Sequence, residues 1–528
     1  MNPRPRSQSS IDAVTSTSIG PTMPRLPRRR ADAGVRRAVG VLLALTLAGG
    51  AASGVAASRI WLVAGMPDRP MSSQRSAATV TLLADRLRSA PGSPTVQTLY
   101  ASPTAELPDR NALQTREGTT SANTTTPAQA LARVFGQQAF DANAVRRPRA
   151  PAGLVGARAE TVSAAIDKDI AALRPGDRGL FFFTGAGLAD AHDAAGNALA
   201  LAENTALSVQ GLDAAIRHAP AATAMRFVLT QCHASGFQRL IRPSARDQRL
   251  LGRHNRCVFS AAPVDHLATG RCPGNDTDPD AGADQDYASL FFAALTGRTR
   301  AGAPLRRSPD LDGDRVVTLH EAHLHATTEG LGSDFPRSST ETYLERWQPV
   351  WLRYLDTHSE PDNAYGRTAQ AMAERLRLPL KGEALVDAVA TRRQMLRERL
   401  DRLDDEHRRA QEEIERLQDS LRQALVQRWP AAAHPYTAAH ARFLANDLPA
   451  VHGFLISQSA TFPKLVTRQE RVVQLLRDSQ TVQRDLTQLD KLTRLRQLAR
   501  LQVQFDRHAS PQARAELERL ARCENTPL

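Results

Sequence analysis

Lysine is almost missing from this chain: the basic residues are arginine everywhere except Lys168, Lys381, Lys464 and Lys491. Aromatic residues are scarce too, at 5% of 528 positions. No basic stripe interleaved with aromatics occurs, so the stacking and phosphate contacts of a nucleic-acid interface have no carrier. The net charge of +13 does not restore that reading. Eight arginines against two aspartates put +6 in residues 1–57, and the remaining +7 is spread over the rest as a solvated surface. No internal repeat of fixed period is present, which excludes a solenoid or propeller.

What is present begins with an address. Arg25, Arg28, Arg29, Arg30, Arg36 and Arg37 precede an uncharged run from Ala38 to Ser58 that exits in small residues. A positive segment, a short apolar segment and a small-residue exit are the parts of a secretory signal. A run of this length also suffices as an uncleaved membrane anchor. Either reading of residues 1–57 places the body of the protein outside the cytoplasm, periplasmic, secreted or membrane-tethered.

Residues 58–335 alternate apolar strands with amphipathic helices. Arg59–Ala64, Thr95–Tyr100, Gly179–Thr184, Met225–Leu229 and Cys257–Ala262 read as strands, and residues 77–89, 128–135, 161–173, 207–218 and 287–295 as helices. That alternation predicts an α/β fold with a parallel sheet covered on both faces, whose ligands bind at the carboxyl ends of the strands. From residue 340 to 528 the composition changes to long helices. Leu396, Leu400, Leu403, His407, Ala410, Ile414, Leu417, Leu421 and Ala424 step by four and three, a heptad seam. A second helical run covers 467–505, so an antiparallel hairpin is the simplest arrangement. Such a seam serves either as a stalk packing on itself or as a coiled-coil surface for a homo-oligomer or partner.

Thr230-Gln-Cys-His-Ala-Ser-Gly-Phe237 carries the most chemistry. It delivers Cys232 at the end of a strand into small residues, as a nucleophilic thiolate is presented. The run Gly179–Gly187 has the same plan, a buried strand followed by the glycine turn Gly185-Ala186-Gly187. The pair resembles the core of the caspase and legumain (hemoglobinase) cysteine peptidases, and the helical run Asp286–Leu295 resembles the helix that follows in bacterial relatives. Residues 186 and 232 lie 46 positions apart, close to the about 50 that separate the histidine and cysteine of caspases. The resemblance implies a caspase–hemoglobinase-like sheet flanked by helices, Cys232 as nucleophile, and an oxyanion hole from the amides of Cys232 and Gly187. It departs at Ala186, which stands where the family has its histidine base. His192, six residues on, is the substitute candidate. The expectation is therefore a peptidase homologue that acts on or binds proteins and peptides with weak or lost catalysis. The alternative is a non-catalytic envelope scaffold or protein-binding module.

Four cysteines suit an exported protein. Three full pairings are open. Cys257 with Cys272, 15 residues on, is the favoured one, leaving Cys232 free and Cys523 in a polar tail.

The twelve residues Asp310–Glu321 resemble an EF-hand calcium loop, with carboxylates at positions 1, 3, 5 and 12. Asp310, Asp312 and Asp314 would bind a structural calcium through side chains, Val316 through its carbonyl, Thr318 directly or through water, and Glu321 bidentately. Arg315 replaces the glycine usual at position 6. His320-Glu-Ala-His323 puts two histidines on one helix face, a weak transition-metal signal, because the second histidine comes one residue early for His-Glu-x-x-His.

Overall fold

The computed structural model describes residues 57–66, 70–88, 94–101, 126–135, 155–244, 251–261, 286–332, 334–349, 361–434 and 437–528. The segment 1–56, which carries most of the expected signal or anchor, lies outside them, as does Cys272. No helix among the described residues is long and apolar enough to cross a membrane.

Strands that are apolar at every position need cover on both faces. The strands are β1 (Ser58–Ala64), β2 (Thr95–Tyr100), β3 (Val155–Gly156), β4 (Arg178–Thr184), β5 (Gly187–Leu188), β6 (Ala198–Ala200), β7 (Ala206–Ser208), β8 (Ala224–Leu229), β9 (Arg256–Ser260) and β10 (Arg337–Ser338). Seven of them form one sheet in the order β10-β9-β8-β4-β1-β2-β3. Six of these run parallel and β10 closes the edge antiparallel to β9. The order reverses at β1, between β4 and β2. β5, β6 and β7 form a small antiparallel sheet of their own in the connection after β4.

The helices of this part are α1 (Pro70–Arg88), α2 (Pro127–Phe135), α3 (Ala159–Ile170), α4 (Val209–Ala215), α5 (Tyr287–Thr296) and α6 (Leu319–Glu329). Alternation along the strands sorts their side chains between two layers. Leu62, Leu180, Phe182, Val228 and Phe259 face a core completed by α1, α5 and α6. Trp61, Val63, Phe181, Phe183, Phe227 and Leu229 face the other way, toward α3, α4 and the 3-10 stretch Ala234–Ile241.

The C-terminal region consists of α7 (Ser339–Trp347), α8 (Ala364–Arg375), α9 (Gly382–Arg428), α10 (Ala438–Asn446), α11 (Leu448–Gly453), α12 (Thr461–His508) and α13 (Pro511–Glu524). α9 and α12, 47 and 48 residues long, lie antiparallel, as the ion pairs Arg393–Asp490, Glu406–Arg471 and Glu413–Arg468 require. Leu396, Leu403, Ala410, Ile414 and Leu421 of the expected seam are buried on α9, whose main packing partner is α12 of the same chain. The region is not a separate appendage. α12 packs on α7 and α8, α8 on α6, and α13 returns to β8 and β9.

That return corrects the expected cysteine pairing. Cys257 is bonded to Cys523, 266 residues away, and not to its near neighbour in sequence. Cys523 is no tail residue: it sits on α13, capped by Ser510 and started by Pro511, and is buried on the sheet. Beyond it Arg226, fully buried on β8, donates to the Pro527 carbonyl at 2.8 Å and to the Gly179 carbonyl at 3.3 Å. No described carboxylate pairs with it. Burial, with Arg178 nearby, pulls its pKa down to about 9.

Candidate functional site

The carboxyl ends of β1, β4 and β8 lie side by side next to the switch in strand order, the edge where open α/β sheets bind ligands. Two glycines make the approach possible. A Cβ on Gly185, whose φ is +150°, would lie 2.9 Å from the Gly65 Cα, and one on Gly187 would lie 2.0 Å from the Cys232 carbonyl oxygen. Ala186 between them is buried and locked in the backbone network. Its N–H donates to Met66 O at 2.7 Å, and its carbonyl accepts from Ala200 N–H at 3.0 Å. On the β8 side the N–H and hydroxyl of Thr230 both donate to the Phe183 carbonyl. His233 follows Cys232 in the left-handed region at φ 57°.

The structure brings Gly187 against Cys232 but withholds the chemistry expected of Cys232. The residue is 3% exposed and disulfide-bonded, and no described cysteine is free. Its partner lies outside the described residues. The expectation of a free Cys232 is therefore corrected: a sulfur already in a disulfide is not the thiolate that attacks a carbonyl.

His192 lies in the connection between β5 and β6. It stands exposed on a turn built around Asp190, whose Oδ1 accepts from the His192 and Asp193 N–H groups at 2.8 and 3.0 Å. Those two backbone donors hold the Asp190 carboxyl below its ordinary range. The turn is pinned further by Asn197 Oδ1, which accepts from Asp190 N–H at 2.9 Å, and by the Asp193–Arg239 ion pair. Asn197 Nδ2 also donates to the His233 carbonyl at 3.4 Å, which ties this turn to the segment after Cys232.

One polar group at this edge has no signal in the sequence. Gln231 is 0% exposed, directly beside Gly187, and neither its amide nitrogen nor its oxygen has a hydrogen-bond partner. An unpaired buried carboxamide costs about 1–3 kcal/mol per group, so its presence at a ligand edge is notable. Nothing in the sequence marks it, because its neighbours Thr230 and Cys232 give no hint that its partners are missing.

In the loop Asp310–Glu321 three of the expected ligands converge, and Glu321 is not among them. Carboxylate oxygens of Asp310, Asp312 and Asp314 lie within 4.8 Å of one another. Asp310 accepts from the N–H groups of Gly313 and Arg315, and Arg315 takes the left-handed conformation at φ 71°. Glu321 caps α6 with Thr318, and its Oε1 accepts from Leu311 N–H at 2.7 Å, which sets the carboxylate against the start of the loop. This donor set, all oxygen, fits a hard divalent cation. His320 and His323 do not make a metal site. Their rings stack at 6.5 Å, and both nitrogens of His323 are taken by protein.

Those histidines belong to a buried polar hub that ties the sheet domain to the long helices. His323 Nε2–H donates to Glu341 Oε1 at 3.1 Å, and its Nδ1 accepts from the Tyr287 hydroxyl at 2.8 Å. Arg494 of α12 donates to Glu341 at 2.9 Å and to Glu345 at 2.8 Å. Burial alone would raise the Glu341 carboxyl, but Arg494, His323 and the Ser338 N–H hold it far below its ordinary range. Burial likewise opposes a charged His320, yet the carboxylates of Glu524, Glu341 and Glu321 raise its pKa above the ordinary value. His320 Nδ1 lies 3.4 Å from Glu524 Oε2, an ionic contact without hydrogen-bond geometry. Lys491 donates to the Gly330 carbonyl, and burial pulls its pKa down to about 8.

No protein-family model matches this chain, and no curated protein is significantly similar to it.

Proposed function

We propose that this chain is a caspase/legumain-like protein that binds protein or peptide segments at the carboxyl edge of its sheet without cleaving them. One observation carries the loss of catalysis: the sulfur at Cys232 is held in a disulfide, at a site where Ala186 supplies no base. The family reading rests on the two buried strands β4 and β8, which lie side by side and each run into a tight turn, at Gly185–Gly187 and at Cys232. Glycine-lined backbone and an unpaired carboxamide are what remain at the edge, and these read peptide groups instead of attacking them. The bonded cysteines suit a protein working outside the cytoplasm, as an exported or membrane-tethered chain would. The α9–α12 hairpin, its seam covered within the chain, serves as scaffold. Calcium at Asp310, Asp312, Asp314, the Val316 carbonyl, Thr318 and Glu321 would be structural, bracing the turn into α6.

The test is a fluorogenic peptide library offered to wild type, Cys232→Ala and Ala186→His, each with and without calcium, beside a binding assay for the same peptides. Saturable binding by wild type with no turnover in any variant is the expected result. Wild-type turnover that disappears in Cys232→Ala would make this a working peptidase. Absence of binding by wild type would remove the peptide-edge reading.

A further inference from the structure

At the opposite end of the sheet from Cys232, just before β9, a cleft of about 730 Å³ opens between the segment 251–254 and the first turns of α13. Its volume falls within the range of small-ligand sites. Pro243 and Leu251 form an apolar wall, and Arg253, His254, Glu516 and Arg519 supply the charge-bearing groups.

The balance of these groups is positive, two guanidiniums against one described carboxylate. Glu516 is the only described carboxylate in the lining, and both of its oxygens are already used. Oε2 accepts from the Tyr343 hydroxyl at 2.8 Å, and Oε1 accepts from Gln512 Nε2 at 3.2 Å. The two guanidiniums have no such satisfaction. Arg519 donates to the Gly252 carbonyl at 2.7 Å, its Nε has no partner, and no described carboxylate pairs with it. Arg253 is exposed and likewise unpaired with any described carboxylate. His254 Nδ1 also lacks a partner. Burial, with Arg256 adding and Asp213 opposing, lowers the His254 pKa, so the ring adds polarity without charge at neutral pH.

The walls are held in place. Residues 251–254 run directly into β9, and α13 is bonded to β9 through Cys257–Cys523, four residues past Arg519. Two guanidiniums beside an apolar wall suit an oxyanion on a small apolar body, because guanidinium forks match carboxylate and phosphate geometry.

We propose that this cleft is a binding site for a small anion, a carboxylate or phosphate held by Arg253 and Arg519. The site is independent of the peptide edge. Because the chemistry is shared by phosphates and organic acids, calorimetry would titrate the full chain separately with inorganic phosphate and with succinate, against sodium chloride at matched ionic strength. The expected result is saturable binding of at least one of them with a Kd below about 1 mM, and none for chloride. Arg253→Gln should weaken that binding at least about tenfold; the Arg253 side chain makes no described contact that folding needs. Arg519→Gln should abolish binding, with circular dichroism checking that α13 stays folded. Binding of succinate alone would assign the cleft to organic acids, and binding of phosphate alone to phosphates. Either supports the site. No saturable binding of either up to about 10 mM, or binding unchanged in Arg253→Gln, would overturn it.

Discussion

Glu341→Ala should lower the unfolding free energy by about 3–5 kcal/mol in a denaturant titration, the cost of breaking a buried ion pair from one side. The magnitude follows from what the carboxylate leaves behind. Arg494, His323 and the Ser338 N–H all direct hydrogen-bond donors at it, and every one of these groups is buried or nearly so. Truncation strands a guanidinium with only Glu345 to neutralise it. Arg494→Ala strands Glu341 in the same way. The double variant should cost less than the sum of the two, because the second truncation removes a charge that the first left unpaired. The pH dependence has a definite sign. A carboxyl whose folded pKa is depressed stabilises fully above its unfolded value, near 4.5 here, and loses that contribution as pH falls below it. His320 acts oppositely. Its raised pKa contributes stability below the unfolded value of 6.5, lost as pH rises through the folded one. Glu341→Ala should therefore flatten the acid limb of the stability curve and also weaken the near-neutral limb, because Glu341 is one of the carboxylates that raise His320. A loss under about 1 kcal/mol would mean that the hub is solvated.

Cys523→Ser should cost about 2–5 kcal/mol, and hydrogen exchange should report it first in α13. The bond joins positions 266 residues apart, so it restricts most of the unfolded chain. Its loss also reaches the sheet. α13 carries the tail whose Pro527 carbonyl accepts from Arg226, and freeing that tail would leave a buried cation with only the Gly179 carbonyl. Arg178, 3.5 Å from the same Pro527 oxygen, adds to the repulsion. Exchange that stays as slow in α13 as in wild type would show that packing alone holds the helix.

The parts of this fold that could be read in the sequence are those with a local period. Phe181-Phe-Phe183 and Val228-Leu229 announce buried strands because every position is apolar, and the stepped leucines of α9 announce a packed helix. The position of Cys232 at a strand's carboxyl end follows from that reading. What resisted was non-local or brief. β10 is two residues long and has no period to detect. The hub gathers Tyr287, His323, Glu341 and Arg494 from four helices, and no spacing links them. The Cys257–Cys523 bond escaped because near neighbours in sequence are the natural first guess, and because α13, with Leu517 and Leu520 as its buried leucines, reads as polar. Two local signals were available and unused: Ser338-x-x-Glu341 has the pattern of a capping box, which starts α7, and Ser510-Pro511 that of a helix start.

Cys232, bonded in a disulfide, holds no thiol. Alkylation of the native, unreduced protein with iodoacetamide near neutral pH, followed by mass analysis of the peptide containing Cys232, tests it most directly. The account predicts no label on Cys232 until a reductant is added, and full labelling after reduction and unfolding. Labelling of Cys232 in the native, unreduced chain would show a free thiolate at the carboxyl edge and would contradict the non-catalytic reading.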